Sequence, residues 1–337
     1  MSCRISRRAF VGATAATLVS PAILHAAEPI KIRCSLDTAP SHPRNVAVLD
    51  YLAKLAKESN GEIVGEVFHS GQLFADLNVS KALLQGQVEM AMPGTWVLTG
   101  LVPDCDMVQM PYFYGVPFEV THRATDGKPG AFIDRQLEAK LKTQVLGPWF
   151  DFGHQSWFST KVPLDSFSSL KGLKIRSPGG AAMEWRIKFA GGIANTTAWP
   201  NVPLALSQGV FDAFISSNER CNTAKLWEAG VKYSYADRQF MAQYIPMIGK
   251  SFWAKLSAEQ RKMMIDLWAA NIAEYRRNGI ASQDTARKIL ETNGVKFRDP
   301  SVEEFDRTRT AMIADLPTLI EAAKLSPEMV KLVKESL

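Results

Sequence analysis

The chain has 337 residues, 46% of them apolar and 22% charged, with 39 basic and 34 acidic side chains. That length and apolar content fit two globular domains, each with its own core, and exclude a disordered tail protein. The near-balanced charge and the lack of any Lys/Arg block exclude nucleic-acid or membrane-surface binding by electrostatics.

At the N-terminus, Arg4, Arg7 and Arg8 precede the apolar, small-residue run 9–24, and His25-Ala26-Ala27 follow it. Charged, then apolar, then small is the order of a secretory signal, and the run is shorter than the ~20 residues that cross a bilayer. The adjacent arginines resemble a twin-arginine export motif, with Gly12 where a lysine is common. Cleavage is expected after Ala26 or Ala27. It removes three of the 39 basic residues and leaves 36 against 34 acidic ones, close to neutral. No cysteine directly follows the run, so no lipid anchor is expected, and the mature chain is placed in the periplasm. Cys34, Cys105 and Cys221 remain. An odd number without a C-x-x-C reads as small buried hydrophobes, not a disulfide framework.

Residues 30–36 alternate as a strand does, and Pro40 and Pro43 punctuate the loop that follows. Residues 44–59 carry helical periodicity and stop at Asn60-Gly61. A strand at 62–68, a helix at 76–85 ending at Gly86, and a short apolar strand at 88–92 complete a strand–helix alternation, the pattern of an open α/β sheet. A second cycle begins with strands at 145–152, 157–160 and 174–176. It continues with a helix at 181–190 closed by Gly191-Gly192, a strand at 210–215 and a helix at 219–228. Segment 257–293 differs: Ser257 with Gln260 forms a capping box, Asn293-Gly294 a stop, and Gly279 is the one weak point between them. At 1.5 Å per residue such a helix runs about 55 Å, longer than one small lobe, so it is expected to bridge two.

Six stretches, taken in order, resemble the solute-binding proteins of TRAP transporters. They are Ala39-Pro40-Ser41-His42-Pro43; Phe68-His69-Ser70-Gly71-Gln72-Leu73; Leu101-Val102-Pro103 with Met110-Pro111-Tyr112-Phe113; Leu170 to Pro178 (LKGLKIRSP); Ala205 to Asp212 (ALSQGVFD); and Phe252 to Ser257 (FWAKLS). The resemblance implies an α/β fold of two lobes of the periplasmic-binding-protein, Venus-flytrap type. Its expected divisions are a signal at 1–27, a first lobe at 28–150 with about 233–256, a second at 151–232 with about 295–337, and the bridging helix at 257–293. It also implies a ligand clamped between the lobes, delivered to a small and a large membrane subunit.

The resemblance singles out Arg176, at a strand end before Ser177-Pro178-Gly179-Gly180, as the carboxylate-binding group. A guanidinium offers a rigid fork of donors that matches a carboxylate, and ligands of open α/β sheets sit beyond the strands' carboxyl ends. Local sequence alone favours a surface arginine in an ion pair, and it is the resemblance that reverses this. Gln155 stands where the family often has a second arginine. An uncharged donor there favours a monocarboxylate, unless the side chain points away. Trp199 and Trp96, the latter next to Thr95, are candidate walls for a flat or partly apolar ligand body, with core packing the alternative. Asn218 and Ser216 compete for one polar contact. His42 either touches the ligand or caps a turn.

An exported enzyme acting on a small acid and a binding protein serving a sensor are the rival readings. No G-x-S-x-G, G-x-G-x-x-G, Walker loop or H-E-x-x-H occurs. The five histidines form no pair at metal-ligand spacing, and no cluster of acids calls for calcium. No cofactor and no metal are expected.

Overall fold

The computed structural model describes residues 28–337, and the expected export signal at 1–27 lies outside the described residues. The first sheet has the order β2 (Ile63–Phe68), β1 (Ile30–Ser35), β3 (Met90–Ala91), β12 (Met247–Gly249) and β4 (Thr143–Val145). β1 lies parallel to β2 and β3, as strand–helix–strand connections require. β12 returns from later in the chain and pairs antiparallel with both β3 and β4.

The second sheet has the order β13 (Lys296–Arg298), β10 (Tyr233–Tyr235), β6 (Ser156–Ser159), β9 (Ala213–Ser216), β7 (Lys174–Ser177) and β8 (Ile193–Thr196). A separate antiparallel pair, β5 (Phe150–His154) with β11 (Met241–Tyr244), carries the chain from one sheet towards the other and back. Residues 233–256 therefore divide: β10 pairs in the second sheet and β12 in the first. The C-terminal helices also reach both sides. Val302–Ala314 packs on Pro111–Phe113, Leu316–Ala323 on the helix Ala181–Phe189, and Pro327–Ser336 on the helix Lys128–Leu141.

The long helix runs Ala258–Thr292, 35 residues, opened by the Ser257–Gln260 capping box. It packs on the helix Pro43–Glu58, on β5 and on the helix Asn218–Thr223, and so touches both halves of the molecule. Gly279, a weak point by helix propensity, lies where the helix meets β5: a Cβ there would stand 2.9 Å from the carbonyl oxygen of Asp151.

The strand expected at 88–92 is only Met90–Ala91, and three further expected elements differ in extent. The strand expected at 145–152 is broken into β4 and β5, because Gly147 takes φ +144° and Pro148 has no N–H to donate. The strand expected from Val210 begins at Ala213. The helix expected at 219–228 is Asn218–Thr223, and Lys225 follows it at φ 47°, a left-handed backbone that no helix continues through. Cys34, Cys105 and Cys221 are buried and unpaired. Among the described residues no helix is long and apolar enough to cross a membrane.

Candidate ligand-binding site

The loop after β1 carries Asp37 and Thr38, and His42 caps the helix Pro43–Glu58 through Nδ1, which accepts the backbone N–H of Arg44 at 3.1 Å. That cap aims Arg44 back over its own loop. Its Nη2 donates to Asp37 Oδ1 at 2.5 Å and to Thr38 Oγ1 at 2.7 Å, and its Nη1 to the Met92 carbonyl at 2.9 Å. The guanidinium lies 3.9 Å from the centre of the Tyr244 ring.

On the other side, Ser217 caps the helix Asn218–Thr223 by accepting the Arg220 N–H. The Arg220 side chain crosses to the first loop, donating from Nη2 to Asp37 Oδ2 and from Nη1 to the Tyr244 hydroxyl, the latter at 3.3 Å. It stacks 4.0 Å above Trp199 and 5.4 Å from Phe152. Asp37 is thereby held between two guanidinium groups. Burial opposes its ionisation, but Arg220 and Arg44 outweigh it and keep the carboxyl well below the usual range.

Arg176 leaves the end of β7 and is 1% exposed. Its Nε donates to the Thr197 carbonyl at 2.9 Å, while Nη2 is buried with no hydrogen-bond partner. Burial lowers its pKa to about 10, so the group stays charged at neutral pH. Asp76, at the start of the helix Asp76–Leu84, accepts the Trp199 N–H at 3.2 and 3.3 Å. Burial and the neighbouring Asp37 raise its pKa, against the pull of Arg220 and Arg176.

Two small cavities lie between these walls. One is lined by Ser35, Asp37, Arg44, Asp76, Trp96 and Tyr244, among others. The other is lined by Trp96, Phe152, Gln155, Arg176, Ser216 and Arg220 among others, so Trp96 divides the two. Each holds about 10 Å³, room for about one water. A larger organic molecule therefore enters only when the walls part. Their linings hold polar atoms left without partners: Ser35 Oγ, Trp96 Nε1, Arg176 Nη2, Ser216 Oγ and Arg220 Nε. Buried polar atoms are normally hydrogen-bonded, so these are the groups that a guest in the cavities would satisfy.

Of the residues expected from sequence, Arg176, Gln155, Ser216 and Trp96 line the second cavity. Trp199 forms the floor under Arg220, and Thr95 is buried beside Trp96 with its hydroxyl unpartnered. Gln155 Nε2 donates to the Gly153 carbonyl at 3.3 Å. Asn218 lines a different cavity, of about 480 Å³, with His154, Arg238 and Gln283. His42 caps its helix, and its Nε2 stands 2.8 Å from Oε2 of Glu219. Sequence reasoning missed Asp37, Arg44, Asp76, Arg220, Phe152 and Tyr244. Asp37 and Arg44 flank the Ala39–Pro43 stretch, and Asp76 follows the Gly71-Gln72-Leu73 turn, so their nearness to recognised motifs was the available signal. Nothing in the sequence pairs Asp37 with Arg220, 183 positions away. Among the described residues no group of three His, Cys, Asp or Glu side chains is placed to hold a metal ion.

The profile of bacterial extracellular solute-binding protein family 7 matches residues 35–322. A C4-dicarboxylate-binding periplasmic protein of Rhodobacter capsulatus is 28% identical over 302 residues, covering 88% of each chain. A 2,3-diketo-L-gulonate-binding periplasmic protein of Escherichia coli is 22% identical, covering 77% of each. Among solved structures, a sugar-acid-binding protein of Advenella mimigardefordensis in complex with galactonate superposes with a TM-score of 0.85 at 20% identity, covering 92% of this chain and 99% of that one. A TRAP periplasmic solute-binding protein of Desulfovibrio salexigens with bound orotic acid superposes at 0.84 with 18% identity, covering 91% and 98%. At these identities the structural likeness carries the fold, a two-lobed one, and not the ligand.

Proposed function

The chain belongs to bacterial extracellular solute-binding protein family 7, the family of TRAP periplasmic solute-binding proteins, and we propose that it captures a small organic monocarboxylate between its lobes and presents it to the two membrane subunits of a TRAP transporter. Arg176 carries this reading. It is a charged, nearly fully buried guanidinium whose Nη2 has no partner, at a strand end facing a cavity ringed by other unpartnered polar atoms. A carboxylate on Arg176 satisfies that donor with a charge-assisted hydrogen bond.

The charge around the cavities favours one carboxylate over two. Arg44, Arg176 and Arg220 supply three positive groups and Asp37 and Asp76 two negative ones, which leaves one positive charge with Asp76 ionised. The aromatic walls, Trp96, Trp199, Phe152 and Tyr244, suit a ligand body with apolar faces. Export through a twin-arginine signal would bring the mature chain to the periplasm already folded, in keeping with its unpaired cysteines.

The test is a thermal-shift screen of the mature chain against mono-, di- and sugar acids, with Arg176→Ala beside it. Ligand at ~100 times its dissociation constant stabilises by ~2.7 kcal/mol. A stabilising acid that loses its effect in the variant supports the reading. Stabilisation that survives the substitution moves the carboxylate elsewhere, and no stabilisation by any acid overturns it.

A further inference from the structure

We propose that Asp37 is the residue that sets the ligand's charge: a built-in carboxylate that occupies Arg220 and Arg44 and leaves Arg176 as the guanidinium offered to the ligand. This rests on the carboxylate reading above and deepens it.

The three arginines are not equivalent. Arg44 spends its terminal nitrogens on Asp37, Thr38 and the Met92 carbonyl. Arg220 spends its own on Asp37 and the Tyr244 hydroxyl. Arg176 alone of the three keeps a terminal nitrogen buried without a partner. One carboxylate on the first lobe's loop thus engages a terminal nitrogen of two guanidinium groups, one from each side of the cleft, and among their nitrogens only the Nε atoms stay without a partner. A ligand's second carboxylate would have to displace Asp37 from Arg220, leaving a buried aspartate with a single partner, or lie beside Asp37 and Asp76 as a third negative charge. Both are costly where water is excluded. Arg220 also packs 4.0 Å from the centre of the Trp199 ring, a contact it would give up on swinging to a second carboxylate.

Asp37→Asn removes the charge and keeps the size. It frees Arg220 and converts the site from one open guanidinium to two. Calorimetric titrations use matched acids that differ in one terminus: butyrate with succinate, and galactonate with galactarate, its six-carbon diacid. Wild type is expected to prefer the monoacid of a pair by about tenfold or more, the worth of one unfavourable charge contact of about 1.4 kcal/mol. D37N is expected to shift that ratio at least about tenfold towards the diacid. The double variant D37N/R220Q takes away the freed guanidinium and is expected to restore the monoacid preference. It also removes the surplus buried charge, so it remains informative if D37N alone does not fold.

A monoacid-to-diacid ratio unchanged in folded D37N overturns the assignment, as does a double variant that favours the diacid. Wild type binding both members of a pair equally overturns it too, and in each of these cases carboxylate capture itself stands. Binding of no acid by wild type or variant removes the carboxylate reading and this assignment together.

Discussion

Nε2 of His42 and Oε2 of Glu219 stand 2.8 Å apart in a region where both side chains are almost fully buried, 1% and 4% exposed. His42 comes from the loop before the first long helix, and Glu219 from the short helix on the opposite side of the cleft, next to Arg220. Because Nδ1 accepts the Arg44 N–H, a neutral ring carries its proton on Nε2, the atom that faces Glu219. Glu219 and Arg220 thus meet His42 and Asp37 side by side, and two adjacent residues of one helix clasp one loop.

Glu219→Ala removes half of that clasp and leaves Asp37–Arg220. The lobes are expected to part more readily, and bound ligand to leave roughly tenfold faster, for a lost contact of about 1.4 kcal/mol. Stopped-flow dissociation measures the rate, and solution scattering of the free protein measures the larger radius. An unchanged off-rate and radius would show that the contact contributes nothing to closure.

His154 supplies an acid-side prediction. Burial and the nearby Arg238 depress its pKa to about 4, while its Nε2 meets the Val116 carbonyl at 3.0 Å and its ring stacks on Phe118. Its unfolded value is near 6.5. A depressed histidine contributes stability that is present above about pH 6.5 and is lost as pH falls towards 4, because the unfolded chain takes up the proton first. Urea unfolding at stepped pH should therefore show a steeper loss between pH 6.5 and 4 in wild type than in His154→Gln. Parallel profiles would remove His154 from the account.

Asp237 works in the opposite direction. Its Oδ2 accepts Trp157 Nε1 at 2.9 Å and the Tyr114 hydroxyl at 3.0 Å, but burial raises its pKa to about 7. A raised carboxyl contributes stability that is full below about pH 3.9 and falls as pH rises through about 7. Asp237→Asn keeps the shape and cannot ionise, so its melting temperature should decline less than that of wild type between pH 4 and 8. An equal decline would place the ionisation elsewhere.

Gly279→Ala is a substitution that helix propensity alone would favour by about 1 kcal/mol. In this fold the new Cβ would lie 2.9 Å from the Asp151 carbonyl oxygen and 3.4 Å from the Phe150 ring, pushing the long helix off β5. The expected result is a net destabilisation of roughly 1–3 kcal/mol in denaturant unfolding. A stabilised variant would show that the helix can shift at no cost.

The first lobe's strand–helix alternation was readable because its pairings are between near neighbours, and alternation and periodicity follow from which face is buried. The long helix was readable because a capping box and a terminal Asn-Gly are local chemistry. The break at Gly147-Pro148 was also written in local residues, yet the flanking apolar runs hid it. What Gly279 does could not be read at all, since its neighbour Asp151 lies more than a hundred residues earlier.

The sequence by itself determined the strand–helix cycles of the two α/β lobes and the long helix between them, because each depends on residues within a few turns of one another, while Arg176 was singled out by the resemblance of the motif around it. Only the tertiary structure decided which guanidinium groups are spoken for. Asp37 holds Arg220 across 183 residues, and His42 turns away from the cavities to meet Glu219. Those pairings follow from packing two lobes face to face, where buried charges must find partners from whatever segment lies opposite, and no local spacing encodes which segment that is.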